Sequence, residues 1–222
     1  MSLNFQRRLY KRFMRAIASI LIFAFTVPAA FYSPADCDST VVDWCHSSIY
    51  SDSTDDIIEL ADTLIGGQKF IRRGIVIEQS QEEVWMALTD TAEIKSFMPK
   101  LKRYDVIENY PDSQKVFCSG KPHWLLKTFS VILSVKLHPP EEISWERIEG
   151  DLKSLRGFWR LCQRKDGKTI AVYGIQCEPG CFVPQFLINR GLKKDLPGML
   201  KGVRSRVAER AKNNVLSNKY KF

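Results

Sequence analysis

The sequence predicts an α+β domain: an antiparallel sheet of about six strands curled around one long C-terminal helix. Three observations point there. From Leu101 to Pro179 the chain is a series of β-rich runs, parted by Pro111-Asp112, Pro122, Pro139-Pro140, Gly150-Asp151 and Asp166-Gly167. One strand and two short helices precede these runs. After them, residues 183–212 carry Val183, Phe186, Leu187, Leu192, Leu196, Met199, Leu200, Val203 and Val207 at a helical period, giving one apolar stripe that needs a surface to cover.

The N-terminal region has a different character. Residues 1–30 join a basic stretch (Arg7, Arg8, Lys11, Arg12, Arg15) to an apolar run of about fifteen residues, A-I-A-S-I-L-I-F-A-F-T-V-P-A-A. This is the layout of a secretory signal, with Val27 and Ala29 as small residues for a peptidase; the alternative is an uncleaved N-terminal anchor, the basic end staying in the cytoplasm. Both place the remainder outside the cytoplasm, periplasmic or extracellular. The formal charge of +8 falls to +3 once those five cations are set aside, which argues little for nucleic acid. Residues 31–70 form an acidic Ser/Asp-rich extension, in which D-D-I-I-E-L-A-D-T-L-I reads as a short helix capped by Ser53 or Thr54 and stopped at Gly66-Gly67.

Six cysteines fit export. Cys37 with Cys45, and Cys177 with Cys181, are the local disulfide candidates, although six cysteines allow 15 connectivities. No C-x-x-C spacing supports a metal site, and none is expected.

The elements of the domain proper, residues 71–212, follow in order. R-R-G-I-V-I-E-Q-S is a strand. Ser80 with Glu83 has the capping-box spacing and opens a helix over E-E-V-W-M-A-L-T-D. A-E-I-K-S-F makes a second short helix, ended by Pro99. Asp166-Gly167 is the strongest hairpin signal in the sheet. In the long helix Pro184 suits the first turn, and Pro197 predicts a kink or a restart after Asp195. Gly191, Gly198 and Gly202 predict close approach of the helix to the sheet. Residues 213–222 are a basic tail.

The runs E-E-V-W-M-A-L-T-D, S-F-M-P-K-L, S-W-E-R-I-E-G-D-L-K-S-L-R-G-F-W-R-L, K-T-I-A-V-Y and V-P-Q-F-L-I-N-R-G-L-K-K-D-L-P-G-M-L-K-G-V-R resemble, in order and spacing, the helix-grip superfamily of START lipid-transfer domains, polyketide cyclases and coenzyme-Q-binding proteins. The resemblance implies a helix-grip fold with an apolar cavity between sheet and helix. The cavity candidates are Phe97, Met98, Trp124, Trp145, Arg147, Trp159, Tyr173, Phe186, Leu187 and Met199. Trp145 shares a strand face with Arg147, and Trp159 with Leu161.

Chemistry-bearing motifs are scarce. His46, His123 and His138 sit in the acidic arm or beside prolines, and no phosphate loop, H-E-x-x-H or G-x-S-x-G is present. Arg147, Glu149 and Tyr173 are the polar group that a cyclase- or hydratase-like enzyme would use; the structural alternative is that Arg147 and Glu149 make cross-strand pairs. The expectation is therefore a binding or transfer protein for a lipid-like or quinone-like molecule, with no cofactor. The alternatives are an enzyme on the same cavity and an interaction module with a filled core. Basic residues of the last helix suit transient contact with an anionic membrane; nucleic acid is not expected as a partner, because that basic face lacks interleaved aromatics.

Overall fold

The computed structural model describes residues 57–98, 100–121, 128–179 and 184–219. The signal or anchor segment, Cys37, Cys45, Trp124 and Cys181 lie outside the described residues. The described chain runs β1 (Ile57–Glu59), β2 (Thr63–Ile65), β3 (Gln68–Ile77), α1 (Gln81–Thr89), α2 (Ile94–Phe97), β4 (Leu101–Asn109), β5 (Ser113–Gly120), β6 (Phe129–His138), β7 (Glu142–Gly150), β8 (Leu152–Gln163), β9 (Thr169–Pro179) and α3 (Gln185–Lys219). The strands form one antiparallel, unclosed sheet in the order β1-β3-β9-β8-β7-β6-β5-β4, with β2 also paired to β3. Sheet and long helix together make the helix-grip fold.

The expected local signals hold. Ser80 Oγ accepts from the Glu83 amide at 3.3 Å, and Glu83 Oε2 accepts from the Ser80 amide at 3.1 Å, closing the capping box of α1. The β8–β9 hairpin turns at Gly167, whose φ of +83° is available to glycine at little cost.

Alternation sorts the strands into two faces. The inner face carries Ile71, Ile75 and Ile77 of β3, Ala171 of β9, and Trp159 and Leu161 of β8, all buried against α1, α2 and α3. Leu196, Leu200, Val203 and Val207 of α3 close this core; each such side chain contributes about 1.5–3 kcal/mol by leaving water. Arg206 pairs with Glu93, and Arg210 with Asp90 at 2.6 Å, so the same stretch of helix is also fastened to the α1–α2 corner.

Three expectations change. The segment read as a helix over 55–65 is instead β1 and β2 where it is described. Ile57 packs into the inner core while Ile58 joins Phe70, Phe158, Ile170 and Val172 on the outer face. Neighbouring residues on opposite faces suit a strand, and main-chain pairing with the edge of β3 overrides a locally helical pattern. Of the two outcomes expected at Pro197 the restart does not occur: the last helix runs on through it, giving up the bond that residue's missing N–H would have made. The helix glycines do not bring it onto the sheet: a Cβ at Gly191 or Gly198 would meet nothing within 4 Å, and one at Gly202 would touch Phe97 of α2 at an ordinary 3.6 Å.

Candidate functional site

The inner face is not covered evenly. Where α1, α2 and the C-terminal half of α3 lie over it, side chains are sealed. Toward the end of the sheet from which α3 departs, the inner-facing apolar residues are only half-buried: Leu101, Phe129, Leu152, Ile175 and Cys177 on the strands, Met98 just after α2, and Leu192 and Met199 on α3, all in contact with the core. This half-buried apolar surface, continuous with the sealed core, is the candidate site.

Its centre is aromatic. Register places Tyr173 beside Trp159, and Gly157 between Ile175 and Trp145. With no side chain at residue 157, the indole of Trp145 leans across β8 and comes within 5.5 Å of the Tyr173 ring. Trp159 meets the same tyrosine edge-on at 4.7 Å. Burial pushes the Tyr173 phenol well above its ordinary value, with the Cys177 thiol adding to the effect. Its hydroxyl makes no hydrogen bond with the described residues.

Two cations also lie on this face by register. Arg73, opposite Tyr173 on β3, is buried and spent on structure: it donates to the Leu60 carbonyl at 3.3 Å and pairs with Glu59 at 3.2 Å. Arg147, opposite Leu133 on β7, donates to the Gly150 carbonyl at 3.0 Å. Across the β6–β7 ladder Arg147 faces Leu133 and Glu149 faces Ile132, so neither makes the expected cross-strand ion pair there. A bulge at Ile148 turns Glu149 to the outer face, opposite Ile132.

Of the expected cavity residues, Trp145, Arg147, Met98 and Met199 come together on or against this surface, and Tyr173 is buried directly beneath Trp145. Phe97 and Trp159 are sealed behind it. Phe186 and Leu187 are not in it: they are 67% and 47% exposed, because the apolar stripe of α3 is covered only from Leu192 onward. Cys177 is a free thiol whose burial raises its pKa to about 11, so the expected bridge to Cys181 is not formed here. Sequence reasoning passed over Leu101 and Tyr104, which pairing with Gly120 and Cys118 places on the inner face. Arg73 was missed because adjacent arginines give no sign of which one turns inward.

The first turns of α3 have little apolar burial and are held by charge. Asp62, after β1, receives Lys193 at 2.9 Å and Lys69 at 3.1 Å. Burial works to raise its pKa, but the two lysines outweigh that and hold the carboxyl below its usual range. On the other side Lys100 pairs with Asp195.

A family model described as polyketide cyclase/dehydrase and lipid transport matches residues 77–204, more than half of the chain. Among solved structures, the STAR-related lipid transfer protein of Xanthomonas axonopodis is similar over 71% of this chain and 97% of its own, at 15% identity and a TM-score of 0.60. Human STARD10 is similar over 85% and 84%, at 14% identity and 0.59. The Zhui aromatase/cyclase of a Streptomyces species is similar over 64% and 94%, at 14% and 0.57. At these identities they share the fold. No curated protein matches the chain.

Proposed function

The chain belongs to the polyketide cyclase/dehydrase and lipid-transport family, and on that premise we propose that it binds and carries a hydrophobic small molecule, lipid-like or quinone-like, against the inner face of the sheet. One observation carries the reading over a cyclase: Tyr173, the residue best placed to move a proton, is packed between Trp145 and Trp159 with no hydrogen bond to the described residues. A general acid works best with a pKa near the working pH; burial moves this phenol the other way. Removing a sixteen-carbon chain from water is worth on the order of 13 kcal/mol at about 0.8 kcal/mol per CH₂, which is the barrier such a surface lowers.

Loading requires visits to a membrane. The exposed Phe186 and Leu187 stand beside the exposed cations Arg190 and Lys194 on the first turns of α3, a pattern suited to an anionic interface. The reading includes export, resting on the basic and apolar runs of residues 1–30; N-terminal sequencing of the protein from its own host checks it. Transfer of a pyrene-labelled C16 chain between anionic vesicles tests the carrier role. Trp145→Ala lowers affinity for the chain about tenfold, whereas Phe186→Asp with Leu187→Asp slows transfer at unchanged affinity. No binding by the unaltered protein overturns the proposal.

A further inference from the structure

Resting on that reading, we infer that the hydrophobic ligand is an anion, and that Arg147 receives its headgroup. The argument begins with what surrounds the guanidinium. Arg147 sits on the inner face of β7 in phase with Trp145, and its cross-strand neighbour is the buried Leu133, itself opposite the buried Val116. Its Nε is buried without a hydrogen-bond partner, and among the described residues its hydrogen bond is the one from Nη2 to the Gly150 carbonyl, at the exposed end of the guanidinium. No carboxylate among the described residues pairs with it, and the bulge at Ile148 is what turns the nearest candidate, Glu149, away.

A cation with a buried, unpaired N–H on an apolar surface is costly to the empty protein. The other inner-face cation, Arg73, also has a buried Nε without a partner, but its charge is met by its own Glu59 and its fork donates to two main-chain carbonyls. Arg147 has been left one carbonyl. A guanidinium offers five N–H donors in a flat fork, which matches the two oxygens of a carboxylate or phosphate. An apolar body lying against Trp145, one residue pair along the strand, then places its anionic end at Arg147.

Hexadecanoic acid, hexadecyl phosphate and hexadecanol share a chain and differ in the headgroup, so their dissociation constants separate the two claims. The unaltered protein binds one of the two anions at least tenfold more tightly than the alcohol, and whichever anion it prefers identifies carboxylate or phosphate as the headgroup. Arg147→Met weakens the preferred anion about tenfold or more while leaving the alcohol within about twofold; Arg147→Lys keeps part of the preference. Equal binding of acid, phosphate and alcohol by the unaltered protein overturns the inference while leaving the carrier reading standing, and this comparison decides even if Arg147→Met does not fold. Equal weakening of all three by a folded Arg147→Met also overturns it. Failure to bind any of the three overturns both.

Discussion

The indole of Trp145 occupies the space that a side chain at residue 157 would fill: a Cβ built on Gly157 would lie 2.2 Å from Trp145 Cζ2. The pair sits directly across the β7–β8 ladder, so this glycine shapes the site by an absence. It lets one tryptophan lie across a strand and reach Tyr173, joining three aromatic rings into one packed cluster. The outer face repeats the device, with Phe158 lying over Gly174.

Gly157→Ala therefore displaces an aromatic ring rather than a flexible chain end. Overpacking of this kind costs about 1–3 kcal/mol. The expected outcome is a melting temperature lower by several degrees, with a shift in tryptophan emission and weakened binding of a hydrophobic probe. A variant with the parent's melting temperature and emission contradicts the geometry.

Tyr173→Phe removes a hydroxyl that the carrier reading does not use. Ligand affinity is expected to stay within about twofold of the parent, and stability to change little, since no described partner is left unsatisfied. An enzyme relying on this phenol for proton transfer would lose activity by a factor of about 100 or more. A turnover assay on any ligand identified separates the two.

The buried thiols and phenols give the fold an alkaline limit. Burial raises the Cys177 thiol to about 11; burial, with Asp105 nearby, raises Cys118 to about 12, and Tyr104 and Tyr173 are pushed higher still. A pKa raised on folding stabilises the protein fully below the unfolded value and less as pH climbs toward the folded one. Unfolded thiols ionise near about 8.5 and phenols near about 10. The urea midpoint is thus expected to hold between pH 6 and 8 and to fall from about pH 9 upward, less steeply in Cys118→Ala. A midpoint constant to pH 10.5 would be the opposite result.

Asp62→Asn releases Lys193 and Lys69 together. Hydrogen exchange should quicken in residues 185–195 of α3, where Leu192 is the main apolar anchor, and stay unchanged after Pro197, where Leu200, Val203 and Val207 are sealed. Because the Asp62 carboxyl is held low, its contribution is present above the unfolded value near 3.9 and fades as pH falls through the folded one. Acidification should therefore reproduce the variant's exchange pattern.

Much of the architecture was legible in the sequence because its signals are local. The capping box at Ser80 and Glu83, the Asp166-Gly167 turn and the stripe from Leu196 to Val207 each rest on residues within one or two turns of each other. The site was legible only in outline, because it depends on register. That Trp145 and Arg147 share a face follows from alternation along β7, but that Gly157 lies opposite Trp145, or that Ile148 bulges, requires knowing which residues pair. The strands at 57–65 were lost for the same reason: D-D-I-I-E-L-A-D-T-L-I fits a helix until the edge of β3 is there to pair with it. Phe186 and Leu187 continue the stripe in sequence, and nothing in the pattern marks where its cover ends.

Native mass spectrometry of the protein purified from its own host, followed by solvent extraction, tests the central claim most directly. The account predicts a reproducible, non-covalently bound hydrophobic molecule, depleted in Trp145→Ala. A protein that arrives empty, and takes up nothing from a panel of lipids and quinones, contradicts it.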